Sequence, residues 1–95
     1  MTAEIDVKTT DSPGTYDFLV TVQQGRSSTQ HRVSLRKVDY ERLVGDSGAS
    51  PERLVSASFR FLLEREPKES ILRSFDLTVI SRYFPEYERL IQKRL

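Results

Sequence analysis

Gln30, Arg32, Ser34 and Arg36 occupy alternate positions in the run Gln30-His31-Arg32-Val33-Ser34-Leu35-Arg36-Lys37. In a strand they would share one face, with Val33 and Leu35 on the other. These side chains could do the chemistry of nucleic-acid recognition: a Gln amide suits adenine, an Arg fork suits guanine, and both neutralise or hydrogen-bond phosphate. The run lies inside Phe18 to Val38, a stretch with no acidic residue and with four cations, Arg26, Arg32, Arg36 and Lys37. Elsewhere acids and bases are mixed, so the gap is local. The same spacing also describes a hairpin with one solvated basic face. A second group, Arg82, Tyr83, Phe84 and Tyr87 around Pro85, combines the aromatic and Arg side chains that anchor protein interfaces. It too has a plain reading, in which the aromatics pin the last helix to the core and Pro85 sets its angle.

Residues for catalysis are scarce. The chain has one histidine, His31, and no cysteine, which removes His clusters, Cys–His pairs and thiolate zinc sites. No Gly-x-Ser-x-Gly elbow surrounds any serine, and His31 reads as an ordinary strand residue. The acids follow Lys or Arg closely, as in Glu64-Arg65-Glu66 and Glu86-Tyr87-Glu88-Arg89, the pattern of solvated helix faces. Gly45 and Gly48 flank a loop without the Lys-Ser/Thr of a phosphate cradle. The expectation is a protein without catalytic residues, metal, cofactor or small-molecule substrate.

The elements that must position these groups follow from periodicity and punctuation. Residues 1–14 are polar and end in Ser12-Pro13-Gly14, which reads as a flexible tail closed by a turn, leaving one domain over 15–95. From Thr15, Tyr16, Phe18, Val20 and Val22 alternate with Asp17, Leu19, Thr21 and Gln23, a strand pattern. The polar connection Gln23 to Thr29 joins it to the run Gln30 to Val38, completing a hairpin. Asp39 caps a short helix over Tyr40 to Val44, stopped by Gly45. Ser50-Pro51-Glu52 is a strong helix start, with a hydroxyl at the cap, proline in the first turn and an acid against the dipole.

The helix that follows carries Val55, Phe59, Leu62 and Leu63 on one stripe, with Leu54, Ser58 and Phe61 beside it. So wide an apolar arc suits either a homodimer face or a helix covered on two sides. Pro67 ends it by disfavouring the helical conformation at Glu66. Lys68 to Arg73 makes one or two helical turns, Asp76 caps a helix over Leu77 to Phe84, and Pro85 opens the last helix, Glu86 to about Arg94. The fold class is α+β: an N-terminal antiparallel β-hairpin followed by three to four α-helices in a single domain.

Composition bounds the partners. Ninety-five residues with 37% hydrophobic and 31% charged side chains make one modest core, near the stability margin where dimerisation helps. Net charge is only +1, and residues 1–48 hold 6 Lys/Arg against 7 Asp/Glu while 49–95 hold 9 against 7. A nucleic-acid partner must therefore be read by a local patch. The absence of cysteine favours the cytoplasm, the start lacks the basic and apolar regions of a signal peptide, and no apolar run reaches the roughly 20 residues that cross a bilayer.

Residues 30–66 resemble a ribbon-helix-helix module: a strand from Gln30 to Lys37, a turn, a helix, a loop and the Ser-Pro-capped helix ending Leu62-Leu63-Glu64. The resemblance implies that the strand pairs with its dimer mate and enters the major groove. Gln30, Arg32, Ser34 and Arg36 would then be the readers, with the helix start near Ser50 and Glu52 approaching phosphate. The chain departs from the pattern in its short first helix, in the preceding strand Thr15 to Val22, and in Glu52 where a phosphate would sit.

A longer run is similar to a family of small uncharacterised bacterial proteins: Ser50-Pro51-Glu52-Arg53-Leu54-Val55, then Phe59-Arg60-Phe61-Leu62-Leu63-Glu64-Arg65-Glu66-Pro67-Lys68-Glu69-Ser70-Ile71-Leu72-Arg73-Ser74-Phe75-Asp76-Leu77, then Ile80-Ser81-Arg82-Tyr83-Phe84-Pro85-Glu86-Tyr87-Glu88. That resemblance implies a bacterial cytoplasmic protein and brings no activity with it. The functional expectation is a small non-catalytic binding or regulatory protein acting through protein–protein contacts, as a homodimer or with another protein. The alternative is a DNA-binding regulator or antitoxin that uses the basic strand.

Overall fold

A computed structural model describes residues 3–95. Three strands, β1 (Glu4–Ser12), β2 (Thr15–Gln24) and β3 (Ser27–Arg36), form an antiparallel meander, and β4 (Ser74–Asp76) joins β3 in parallel. The sheet order is β1-β2-β3-β4. Between β3 and β4 lie α1 (Lys37–Val44) and α2 (Pro51–Leu63); α3 (Ile80–Tyr83) and α4 (Tyr87–Gln92) close the chain. Short 3₁₀ turns fill Gly45–Ser47, Lys68–Ser70 and Leu77–Val79. The fold is α+β, with the expected hairpin at Thr15 to Arg36 and four helices after it.

The tail expected over residues 1–14 is instead the first strand of the sheet. β1 pairs with β2 without interruption from Glu4↔Gln23 to Ser12↔Thr15. Ile5, Val7 and Thr9 alternate toward the covered face and are half-buried there. The turn at Pro13-Gly14 stands as expected, with Gly14 at φ 77°, a conformation a Cβ would disfavour. Met1 and Thr2 lie outside the described residues.

All the helices pack on one face of the sheet. Phe18, Val20 and Val22 of β2 and His31, Val33 and Leu35 of β3 are buried beneath Leu54, Val55 and Phe59 of α2 and Leu77 from the C-terminal part. The opposite face carries Asp17, Gln23, Gln30, Arg32 and Arg36 into solvent.

The Ser50 hydroxyl accepts from the Arg53 N–H at 3.1 Å and Pro51 opens α2, as the residue types require. The wide apolar arc of α2 is used up within the chain. Phe59 meets His31 and Phe75 on the sheet side, and Phe61 meets Phe84 and Tyr87 on the C-terminal side. Both rings are fully buried, so this arc offers no homodimer face.

Other elements also differ from expectation: the helix expected over Leu77 to Phe84 is a 3₁₀ turn at Leu77–Val79 leading into α3, and the last helix, α4, spans only Tyr87–Gln92 and leaves Pro85 outside it. α1 begins at Lys37, ahead of Asp39, which sits buried in its first turn and pairs with Arg36 at 3.0 Å and Arg42 at 3.3 Å. The helical turns expected to Arg73 stop at Ser70, because the chain then extends into β4 and its Arg73 carbonyl accepts from the Arg32 N–H at 2.8 Å.

Candidate functional site

The period-two pattern of β3 places Gln30, Arg32, Ser34 and Arg36 together on the open face of the sheet. What surrounds them comes from strands distant in sequence. The row Asp17↔Ser34↔Asp76 puts a carboxylate on each side of Ser34, and the Ser34 hydroxyl donates to Asp76 Oδ2 at 3.1 Å. Asp76 Oδ1 meanwhile accepts from the Thr78 N–H at 3.0 Å and its hydroxyl at 2.6 Å, capping the turn at Leu77. Arg36 turns toward Asp39. Lys8 and Arg32 stand on either side of Leu19, and these residues with Asp17, Ser34 and Asp76 line a shallow depression of about 620 Å³.

The acid-free stretch in the chain is therefore not an acid-free surface. Strand pairing brings Glu4, Asp6, Asp17 and Asp76 onto the same face as Lys8, Arg32 and Arg36. A mixed face supplies little of the polyelectrolyte attraction on which general DNA affinity depends. β3 also has β2 on one side and, over Arg32 to Ser34, β4 on the other, so the middle of the strand is closed to the partner strand of a two-chain ribbon.

The aromatic group near Pro85 is divided. Tyr87 is wholly buried and packs edge-on to Phe61 with ring centres 5.3 Å apart. The Ser58 hydroxyl donates to the Leu54 carbonyl at 2.7 Å, which spends its hydrogen; the Tyr87 hydroxyl, 2.6 Å away, is then the donor of their shared bond. Burial holds the Tyr87 hydroxyl well above the ordinary tyrosine range, so it stays protonated. Phe84 is half-buried against Phe61. Only Arg82 and Tyr83 of the four are open to solvent. Tyr87 is a core residue.

Tyr83, 66% exposed, stands instead at the rim of an apolar groove of about 300 Å³. Leu62 and Ile80 line its buried part, Phe75 and Phe84 its half-buried part, and Leu72, 46% exposed, the opposite rim. Leu72 was not among the residues singled out from the sequence. The signal was the apolar pair Ile71-Leu72 in a segment too short for a helical stripe: Ile71 turns inward and Leu72 outward.

His31 lies on the covered face. A carbonyl only accepts, so its Nδ1 carries the proton and donates to the Leu72 carbonyl at 2.7 Å. Nε2 then accepts from the Thr29 hydroxyl at 2.8 Å. Burial lowers the His31 pKa from its ordinary 6.5, although the Leu72 bond opposes the shift. The imidazole is thus a neutral clamp between β3 and the segment entering β4. Among the described residues no three His, Asp or Glu side chains are grouped to hold a metal ion, and no helix is long and apolar enough to cross a membrane. Comparison with protein-family models, with curated proteins and with solved structures finds no match for this chain.

Proposed function

We propose that this chain is a small non-catalytic binding protein of the bacterial cytoplasm that acts through protein–protein contacts, with the groove between Leu72 and Tyr83 as its contact surface. The observation that carries this reading is the pair of exposed apolar rims over an apolar floor, since monomeric surfaces rarely leave such side chains together without use. A partner would insert an apolar side chain between them, and Arg82 beside Tyr83 would add a polar rim. No cofactor and no small-molecule substrate belong to this reading. The resemblance of Ser50 to Glu88 to a bacterial family and the cysteine-free composition support the compartment.

The test is affinity capture from a bacterial lysate with the native chain and with a Leu72→Ser, Tyr83→Ala variant. Both side chains are exposed, so the variant keeps its fold. Proteins retained by the native chain and lost by the variant are the expected outcome; the same set on both would remove the groove from the proposal. The second reading, DNA binding by Gln30, Arg32, Ser34 and Arg36, is favoured by their shared position on an uncovered face. Fluorescence anisotropy with mixed-sequence duplex DNA at low and physiological salt separates the two. Salt-dependent binding abolished by Arg32→Ala with Arg36→Ala would replace the first reading with the second.

A further inference from the structure

β1 is the long edge strand of the sheet, and its backbone groups can be assigned from one bond. The Arg32 N–H points at β4, where it donates to the Arg73 carbonyl. Alternation along β3 then turns His31, Val33 and Leu35 toward β2. Carried through the registers Val20↔His31 and Val7↔Val20, the same alternation turns the N–H and C=O groups of Ile5, Val7 and Thr9 away from β2, onto the open edge. Among the described residues no donor or acceptor reaches these groups; the nearest edge interaction is Arg60 donating to the Ala3 carbonyl at 3.3 Å. β1 pairs with β2 over nine residues with no bulge and no proline. It therefore lacks two of the devices that usually blunt an edge strand, a proline and a bulge. Its remaining device is Lys8, and Asp6 stands two residues away on the same face.

We propose that two copies of this chain pair through β1, antiparallel and centred on Val7, so that Asp6 of each copy faces Lys8 of the other. Self-pairing about a two-fold axis places residues opposite one another symmetrically, and neighbouring registers are unfavourable. Centring on Asp6 or on Lys8 sets like charges directly opposite each other. Centring on Val7 makes Val7 with the partner's Val7, and Ile5 with the partner's Thr9, the hydrogen-bonded pairs, which uses the edge groups just assigned. Asp6 and the partner's Lys8 then form a non-hydrogen-bonded pair, the closer kind, twice over. Neither Asp6 nor Lys8 has an ion-pair partner within the described residues of the chain.

α2 agrees with this geometry. Glu52 accepts from the Thr9 hydroxyl at 2.5 Å and Arg60 reaches Ala3, so α2 runs antiparallel to β1 along the covered side of the edge. The residue on the same stripe between them is Ser56, small and half-buried. Two α2 helices could therefore approach across the axis without a bulky side chain in the way. The second copy would also complete the cover of Ile5 and Val7, which one copy leaves half-exposed. This pairing is independent of the Leu72–Tyr83 groove, which lies beyond β4 at the other end of the sheet.

The test is sedimentation equilibrium of the full chain and of charge variants at two exposed positions, whose replacement leaves the core untouched. The native chain is expected to dimerise. Asp6→Lys and Lys8→Asp, each alone, put like charges opposite on both sides of the axis and weaken self-association by at least about tenfold. Mixing the two variants restores opposite charges at every 6–8 contact, so the mixture dimerises where neither component does. A native chain that stays monomeric into the submillimolar range overturns the proposal. So does a dimer indifferent to the single reversals, or a mixture that fails to associate.

Discussion

From Glu4↔Gln23 to Gln24↔Ser27 the meander pairs in unbroken register, whereas no element after α2 is longer than the six residues of α4. The two regions share one core but are held to it differently. In the meander each residue adds a ladder bond and a side chain on one of two faces, so support is distributed and no single group is decisive. The C-terminal third is tied down at separate points. Tyr87 bonds Ser58, the Leu72 carbonyl bonds His31, Asp76 bonds Ser34 and Thr78, and Arg94 grips Glu64. Regions of the second kind come loose when one point is removed, and local opening follows such boundaries.

The largest effect expected from that contrast is at Tyr87. Tyr87→Ala deletes a fully buried ring between Phe61 and Ser58 and should cost about 3–5 kcal/mol by chemical denaturation. Tyr87→Phe keeps the ring and loses only the donated bond, about 1 kcal/mol. Leu19→Ala, on the open face of β2, should cost less than either. Amide exchange on Tyr87→Phe would sharpen the comparison by showing loss of protection over 74–95 ahead of the meander. Simultaneous loss across both regions would break it.

The next effect tests the tie between the two regions. His31 is neutral in the fold because burial lowers its pKa below 6.5, whereas the unfolded chain protonates at the ordinary value. Below pH 6.5 the unfolded state binds the additional proton, so stability is fully present above that pH and falls as pH drops toward the lowered value. Each unit of separation contributes about 1.4 kcal/mol. The urea midpoint of the native chain should decline through this window. His31→Phe should be less stable at neutral pH, leaving the Leu72 carbonyl without its donor, yet flat across the same window. An equally steep decline in the variant would remove His31 from the account.

These ties also mark what could be read from the chain. The strands from Thr15 to Arg36 were legible because period-two alternation is what a one-sided sheet demands, and Ser50-Pro51 announced α2 through its own cap. β1 was hidden because an edge strand over a small core needs few apolar residues: Ile5 and Val7 stand among Glu4, Asp6, Lys8, Thr9 and Thr10. β4 is three residues long and parallel, with no local signal; its place depends on β3, some forty positions earlier. The surroundings of the candidate surfaces were hidden for the same reason. Gln30 to Arg36 looked cationic in one dimension until β1, β2 and β4 set acids beside them. Tyr87 and Tyr83 are alike in the chain, but the Phe61 ring and the Ser58 hydroxyl enclose Tyr87 in the core and leave Tyr83 at the rim.

The smallest effect compares one kind of contact placed in each region. Lys37, which opens α1, pairs with Asp11 of β1 at 2.6 Å where the ladder already fixes β1 and the end of β3; Arg94 holds Glu64 through two bonds, 2.8 and 2.5 Å, where little else holds the last turn. The hydrogen bonds from Arg94 keep the Glu64 carboxyl below its ordinary pKa of 4.5, so the contribution is present above that pH and lost as pH falls through the lowered value. Both partners are substantially exposed and screened, so Glu64→Gln should cost no more than about 0.5 kcal/mol of global stability. Its local signature should still be readable: faster amide exchange at 90–95, increasing with salt in the native chain as the pair is screened. Asp11→Asn should leave exchange in β1 unchanged, because Thr10, Ser12 and their β2 partners keep their ladder bonds without it. Equal local loosening at both sites would mean that ion pairs, not the ladder, set the difference between the two regions.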